Sequence, residues 1–360
     1  MDVERRVELR FVEESRKAET HTNLSAVRQD GRCLWVAGDE TATVERLTAV
    51  RDEDGRVTGY ADQKTVRLAD LVPLPAADPD EEADIEGLAC ADGWLWAIGS
   101  HSLKRKKIKP GHRPAKSRRR LATVVREDNR FILARLPLVT GADGLPEAVR
   151  ADGDRTAAVL GLNKDSITDL VADDPHLAPF LSIPGKDNGV DIEGIAAHGD
   201  RIYIGLRGPV LRGWAVLIEI RPDTDPADPR RLRPLPVGGD GALYHTHFLD
   251  LGGLGIRDLC PHGDDLLVLT GPSMDLDGPV RLVRWPGAVT TAAPEIVTSA
   301  DLEVLGELPH GDGDDHAEGI AVLDEGHGPG TRLLVVYDSP SPARLTEEGG
   351  VLADVLVVDG

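Results

Sequence analysis

One phrase is written five times along this chain, and that repetition limits the folds open to it. "DIEGLACADGWLWAIGS" begins at Asp84, "DIEGIAAHGDRIYIGLRG" at Asp191, and "HAEGIAVL" at His316 leads on to "RLLVVYDS" at Arg332. Looser copies are "NLSAVRQDGRCLWVAGDE" from Asn23 and "IRDLCPHGDDLLVLTGPS" from Ile256. Each copy reads as a short apolar strand, a tight turn and a second apolar strand. Its turns, Asp92-Gly93, Gly199-Asp200 and Gly263-Asp264, have hairpin chemistry. Such a period means like units that bury their faces against one another.

Two further strand-like runs follow each pair. They are "TATVERLTAV" and "KTVRLADL", then "NRFILARLPL" and "TAAVLGL", then "WAVLIEIRP" and "RRLRPLPV", then "GPVRLVRWPG" and "EIVTSADLEVL". Four antiparallel strands per unit predict an all-β fold, a β-propeller. The units start near residues 23, 84, 191, 256 and 316, about 60 apart except for one step of 107. That long step predicts insertions at 101–120 and 163–185 rather than a hidden blade. Five blades are expected, with six as the alternative. Residues 163–185 open on Asn, Asp and Ser and space Ile167, Leu170 and Val171 as on a short helix. The last unit is one strand short. The alternating "RRVELRFVE" at the N-terminus predicts the missing outer strand, closing one domain over residues 1–360 and leaving no exposed sheet edge.

Composition narrows the function. At 360 residues and 41% hydrophobic the chain can bury a large core, while 39 Gly and 25 Pro suit many turns. A net charge of −21 excludes a protein that coats nucleic acid with its whole surface. Cys33, Cys90 and Cys260 lie in apolar runs, as buried thiols do, and indicate no disulfide framework. No apolar signal core opens the chain and no apolar run reaches the roughly 18 residues of a membrane span. A soluble cytoplasmic protein without membrane association is expected. Gly-x-Ser-x-Gly, His-Glu-x-x-His, P-loop and dinucleotide motifs are absent, which weakens serine-hydrolase, zincin, NTPase and Rossmann readings.

The repeated carboxylates carry the chemistry. In a propeller the first strand of each unit lines the central channel, and residues two apart share a face. Asp84 with Glu86, Asp191 with Glu193 and His316 with Glu318 should therefore point together. Gly87, Gly194 and Gly319 follow where strands crowd the axis. The expected result is a ring of Glu86, Glu193, Glu318 and Asp258 around one channel mouth. Either these acids hold a divalent cation, or they bond amides of the neighbouring inner strand and lock the ring. All-oxygen ligands suit Ca²⁺ first, with Mg²⁺ or Mn²⁺ next. Arg257 and His316 could offset the charge. Each second strand returns to the same mouth, which makes His101, Arg207, Asp39 and Asp338 candidates for substrate contact or proton transfer. "SMDLDG" from Ser273 imitates a calcium loop, but Arg284 stands where its closing Glu belongs. "HGDGDDHAEG" from His310 reads as a solvated acidic loop, or as one that feeds a metal into the channel.

Residues 101–120 hold ten Lys/Arg and no acid, so the rest of the chain carries −31. This run reads as a solvated loop, as a site for a polyanion such as nucleic acid, or as a cover over the acidic mouth with Lys104 or Arg105 nearest the carboxylates. No aromatic residue interleaves it, so base stacking is not expected.

The phrases "SHSLKRKK" (Ser100 to Lys107), "RFILARLPL" (Arg130 to Leu138) and "DIEGLA"/"DIEGIA" resemble, over almost the whole chain, a bacterial family known only as a domain of unknown function. That resemblance implies a soluble propeller-like protein. More distantly the chain is similar to gluconolactonase/senescence-marker and esterase-like phytase propellers. In lactonases of that kind a Glu beside Gly helps hold a channel metal, and Glu86, Glu193 and Glu318 match it; the Asn and Asp ligands of that family have no matching motif here. The leading expectation is a metal-assisted hydrolase acting on a phosphate ester or lactone. His101 or Asp338 would be acid or base, Lys104, Arg207 and Arg257 would bind the anionic substrate, and Glu86, Glu193, Glu318 and Asp258 would hold the metal. The rival is a non-catalytic scaffold whose channel acids are structural and whose basic loop meets an anionic partner.

Overall fold

Five apolar strands, Leu24–Asp30, Ile85–Ala91, Asp191–His198, Gly255–His262 and His316–Leu323, stand side by side around one axis. This is the arrangement in the computed structural model, which describes residues 1–78, 81–274, 276–311, 313–324 and 330–358. Each inner strand packs against the next and the fifth packs against the first, so the ring is closed.

Outward from each inner strand the chain makes antiparallel neighbours, as the Gly-Asp turns dictate. The first unit adds Cys33–Gly38, Thr43–Arg51 and Val57–Arg67. The second adds Trp94–Gly99, Leu133–Thr140 and Ala158–Leu160. In the fourth unit Asp265–Gly271, Val280–Trp285 and Glu303–Leu308 follow. The fifth is completed by Thr331–Asp338, Gly350–Val358 and the N-terminal Val3–Arg10, which pairs from Arg10 with Gly350 to Val3 with Leu356. The closure predicted from the alternating N-terminus is thus present. Val3–Arg10 also pairs in parallel with the outer strand of the first unit at Glu8–Gly59 and Leu9–Tyr60, so two units share one sheet.

The third unit departs from expectation. Its outer strand is Tyr244–Asp250, not "RRLRPLPV". The strand Trp214–Asp225 outruns its blade: residues to Ile220 pair with Tyr244–Asp250, while Arg221 to Asp225 turn to Asp228–Leu235. That hairpin reaches over to the second unit, where Arg231 pairs with Val159. Alternation alone could not separate a blade strand from an extension of similar polarity.

Five buried apolar clusters fill the five gaps between units. Trp35 and Leu95, for example, lie between the first and second, and Tyr203 and Leu266 between the third and fourth. Side chains alternate along each strand, so both faces of every blade are apolar and each packs on a neighbour.

Two irregular segments occupy the long step between the second and third units. Residues 101–127 form a two-residue ribbon, Lys104–Arg105 with Val124–Val125, and an exposed α-helix, Pro114–Leu121. Pro at its first turn and no buried side chain mark a helix held by the ribbon below it. The second insertion carries a short helix, Ile167–Leu170, capped by Ser166 and Asp169 in a reciprocal box. Cys33 and Cys260 are buried free thiols and Cys90 is half-buried. No helix among the described residues is long and apolar enough to cross a membrane. Asp275 of "SMDLDG" and Asp312 of the acidic loop lie outside the described residues.

Candidate functional site

Every inner strand breaks its pairing at the same place. Pairing with the second strand skips Ser25, Glu86, Glu193, Arg257 and Glu318, one in each unit. A bulge of this kind leaves one residue unpaired and re-aims its side chain. Five bulges at one level therefore set Glu86, Glu193 and Glu318 at the mouth of the channel, together with Arg257 and Ser25.

This corrects the ring expected from period-two alternation. Arg257, not Asp258, is the counterpart of the three glutamates, and Asp258 aligns with the glycines. Its Oδ1 and Oδ2 accept from Arg28 Nη2 and Nη1 at 2.7 and 2.8 Å, and Oδ2 also accepts from Ile320 N at 2.8 Å. Arg28 further donates to the carbonyls of Val27, Ile195, Ile320 and Leu259. One guanidinium thus ties four inner strands together, and the ring lock is Arg28–Asp258 rather than the glutamates. Asp258 has no place in a metal centre while so engaged. The glycines serve as anticipated: a Cβ on Gly194 would lie 2.9 Å from Asp258 Cα, and one on Gly87 2.8 Å from Ile195 Cγ2.

Arginines neutralise part of the mouth. Arg207 reaches Asp191 and Glu193, both at 2.7 Å. Arg257 lies 2.5 Å from Glu318 and 3.5 Å from Glu193. Arg130 meets Asp84 at 2.6 Å and Glu127 at 2.8 Å, and also bonds Glu82.

What remains is an acidic triad without enough cations. One oxygen from each of Asp39, Asp84 and Glu86 lies within 4.8 Å of the others. Among the described residues Glu86 has no ion pair or hydrogen bond, and Asp39 Oδ1 is buried without a partner. Burial first, then Asp84, Glu193, Glu318 and Asp39, push the Glu86 carboxyl well above its ordinary range. Burial with Asp84, Glu318 and Asp338 raises Asp39 to about 8. Burial outweighs Arg130 to hold Asp84 at about 6, and outweighs Arg207 and Arg257 to hold Glu193 at about 7. Burial and Asp338 raise Glu318, and burial raises Asp338. Like charges crowded in a poorly solvated site cannot all ionise.

Asp39, Arg207 and Asp338 lie beside the mouth glutamates. His101 is held elsewhere. Its Nδ1 lies 2.9 Å from the Gly99 carbonyl, its ring meets Phe131 edge-on, and burial lowers it to about 4. Lys104 pairs on the outside with Glu82 at 3.3 Å and Glu127 at 3.7 Å. Arg105 pairs with Asp187 at 2.6 Å. The insertion is thus anchored at its root, and none of its further cations is paired with the mouth carboxylates. Sequence reasoning missed Arg130, Arg28 and Lys186, whose charge acts on Glu318 and Asp338. Arg130 precedes a third strand and Lys186 a first strand, both of which start at the mouth, so the same antiparallel logic could have reached them.

Residues 23–354 match the family described as "Protein of unknown function (DUF3616)". Among solved structures the chain is similar to Kuenenia stuttgartiensis hydrazine synthase at 10% identity and TM-score 0.34, covering 94% of this chain and 64% of that one. It is similar to a glucose dehydrogenase at 14% and 0.34, with 94% and 82% covered, and to the phage phi92 endosialidase at 8% and 0.35, with 99% and 69% covered. No curated protein matches the sequence.

Proposed function

Because the chain belongs to this family of proteins of unknown function, its own geometry has to speak, and from it we propose a metal-assisted hydrolase acting on a phosphate ester or lactone at the acidic mouth. The observation that carries this reading is the triad Asp39, Asp84 and Glu86, three carboxylates within ligand reach of one another with Glu86 unpaired. Oxygen ligands of this kind fit Ca²⁺, with Mg²⁺ or Mn²⁺ as alternatives. A cation held there would supply Lewis acidity toward a phosphoryl or carbonyl oxygen and toward water.

The chain's own groups divide the remaining work. Asp338, raised by burial, is the group to hold and release a proton. His101 is unsuited to that role, since its ring is buried against Phe131 and engaged with Gly99. Arg257 and Lys186 beside Glu318 would orient the anionic end of the substrate, while Arg207 fixes Asp191 and Glu193. In the test, metal content is measured, and melting temperature and hydrolysis of p-nitrophenyl phosphate and a simple lactone are followed with and without Ca²⁺. Wild-type protein should be stabilised by Ca²⁺ and Glu86→Gln should not. Absence of bound metal together with no effect of Ca²⁺, Mg²⁺ or Mn²⁺ overturns the reading.

A second reading rests on the arm. Lys106, Lys107, Lys109, Arg113, Lys116, Arg118 and Arg119 are exposed and form no ion pair among the described residues, in a chain with 62 acids. On this view the propeller is a scaffold that offers the arm to a polyanion, through backbone phosphates rather than bases. Retarded migration of a labelled duplex, lost in an arm variant but kept in Glu86→Gln, would favour it.

A further inference from the structure

A second cleft opens at the other end of the propeller. The inner strand Ile85–Ala91 starts at the acidic mouth and ends beside this cleft, about 20 Å away at the usual strand rise. The cleft holds about 470 Å³ between the second unit and the long hairpin of the third. Trp94, Trp96, Arg135, Arg221, Pro222 and Leu235 line it. Sites for small organic ligands run roughly 300–1,000 Å³.

Its distinctive member is Arg135. The residue is only 8% exposed and has no ion pair among the described residues. Its guanidinium lies 4.2 Å from the Trp94 ring centroid and 5.5 Å from that of Trp96. Nη2 donates to Thr224 Oγ1 at 2.5 Å, and Nε has no acceptor. Burying a cation without a partner is costly, and indole faces offset only part of that cost. The cleft's other arginine, Arg221, is already matched by Asp200 at 2.6 Å. The acids Asp92, Asp200 and Asp223 are exposed at the rim; Asp223 attracts Arg135 from there, but burial of the guanidinium outweighs that attraction. Positive charge therefore lies inside and negative charge outside.

We propose that this cleft binds a small monoanionic carboxylate with an apolar body, the carboxylate against Arg135 and the body against Trp96, Pro222 and Leu235. A guanidinium suits a carboxylate's planar pair of oxygens. The rim acids disfavour a second negative charge on the ligand. The site is independent of the acidic mouth.

Benzoate, its neutral isostere benzamide and the dianion phenyl phosphate test the assignment by calorimetry and tryptophan fluorescence. Benzoate should bind, and the other two at least about tenfold more weakly, the scale of a lost charged hydrogen bond. Arg135→Met, which keeps the packing on both indoles, should weaken benzoate by about tenfold or more. Glu86→Gln should bind it as wild type does. If Arg135→Met does not fold, Leu235→Trp fills the cleft and should abolish binding with Arg135 intact. Equal affinity for benzoate and benzamide, tighter binding of phenyl phosphate, or benzoate binding unchanged in the Arg135 or Leu235 variant overturns the proposal.

Discussion

Arg28 and Asp258, 230 positions apart in sequence, meet through two hydrogen bonds of 2.7 and 2.8 Å inside the ring of inner strands. Both are buried, and Arg28 also satisfies carbonyls from the first, third, fourth and fifth units. Removing one partner leaves an uncompensated charge where water cannot reach. Asp258→Asn and Arg28→Met should each destabilise the protein by about 3–5 kcal/mol. Urea unfolding measures this, and the double variant should lose less than the two single losses combined.

Backbone crowding yields a graded pair. Gly194→Ala drives a methyl against the Asp258 main chain at 2.9 Å, whereas Gly87→Ala meets the Cγ2 methyls of Ile195 and Ile98 first and main chain only at 3.2 Å. Gly194→Ala should cost about 1–3 kcal/mol, and Gly87→Ala less. Thermal unfolding of the two variants side by side decides it.

The crowded carboxyls give stability a pH dependence. Asp39 at about 8, Glu193 at about 7 and Asp84 at about 6 all exceed the value of about 4 for an unfolded carboxyl. The folded chain therefore holds more protons than the unfolded one between those limits. The stability they contribute is full below about pH 4 and is lost as pH rises through 6 to 8. Asp39→Asn should match wild type near pH 5 in this respect and exceed it at pH 9, by on the order of 1–3 kcal/mol. Ca²⁺ should flatten the wild-type profile if the triad holds it. Denaturation midpoints across pH, with and without Ca²⁺, provide the check.

Closure depends on the N-terminal strand. Val7 and Leu9 are buried in the cluster that joins the fifth and first units. Leu9→Ala should cost about 2–5 kcal/mol. Deleting residues 1–10 should expose two strand edges and promote association, visible by size-exclusion chromatography.

The arm should be separable from the fold. Pro114–Leu121 buries no side chain, and Lys106, Lys107, Lys109, Lys116 and Arg118 make no ion pair among the described residues. Replacing Lys106, Lys107, Lys109, Lys116 and Arg118 by Gln should change stability by less than about 0.5 kcal/mol. A larger loss in urea unfolding would mean that the arm packs on the propeller in solution.

Local chemistry alone determined much of this protein. Turn pairs such as Asp92-Gly93, apolar runs such as "WLWAIG" and the repeated Glu-Gly are short-range signals, and they specified blades, closure and glutamates at one mouth. The alternating "RRVELRF" specified its own place because only one unit lacked a strand. Tertiary structure decided what depends on register and on neighbours distant in sequence. All five bulges fall at one level, so Arg257 takes the place of the glutamates and Asp258 that of the glycines, a register that the looser fourth copy of the phrase left open. Arg28, legible only as a charge in an apolar strand, acquired a role when three other inner strands brought carbonyls and a carboxylate to it. Which acids remained unpaired followed from where Arg130, Arg207 and Arg257 could reach, a question of distance rather than of spacing along the chain.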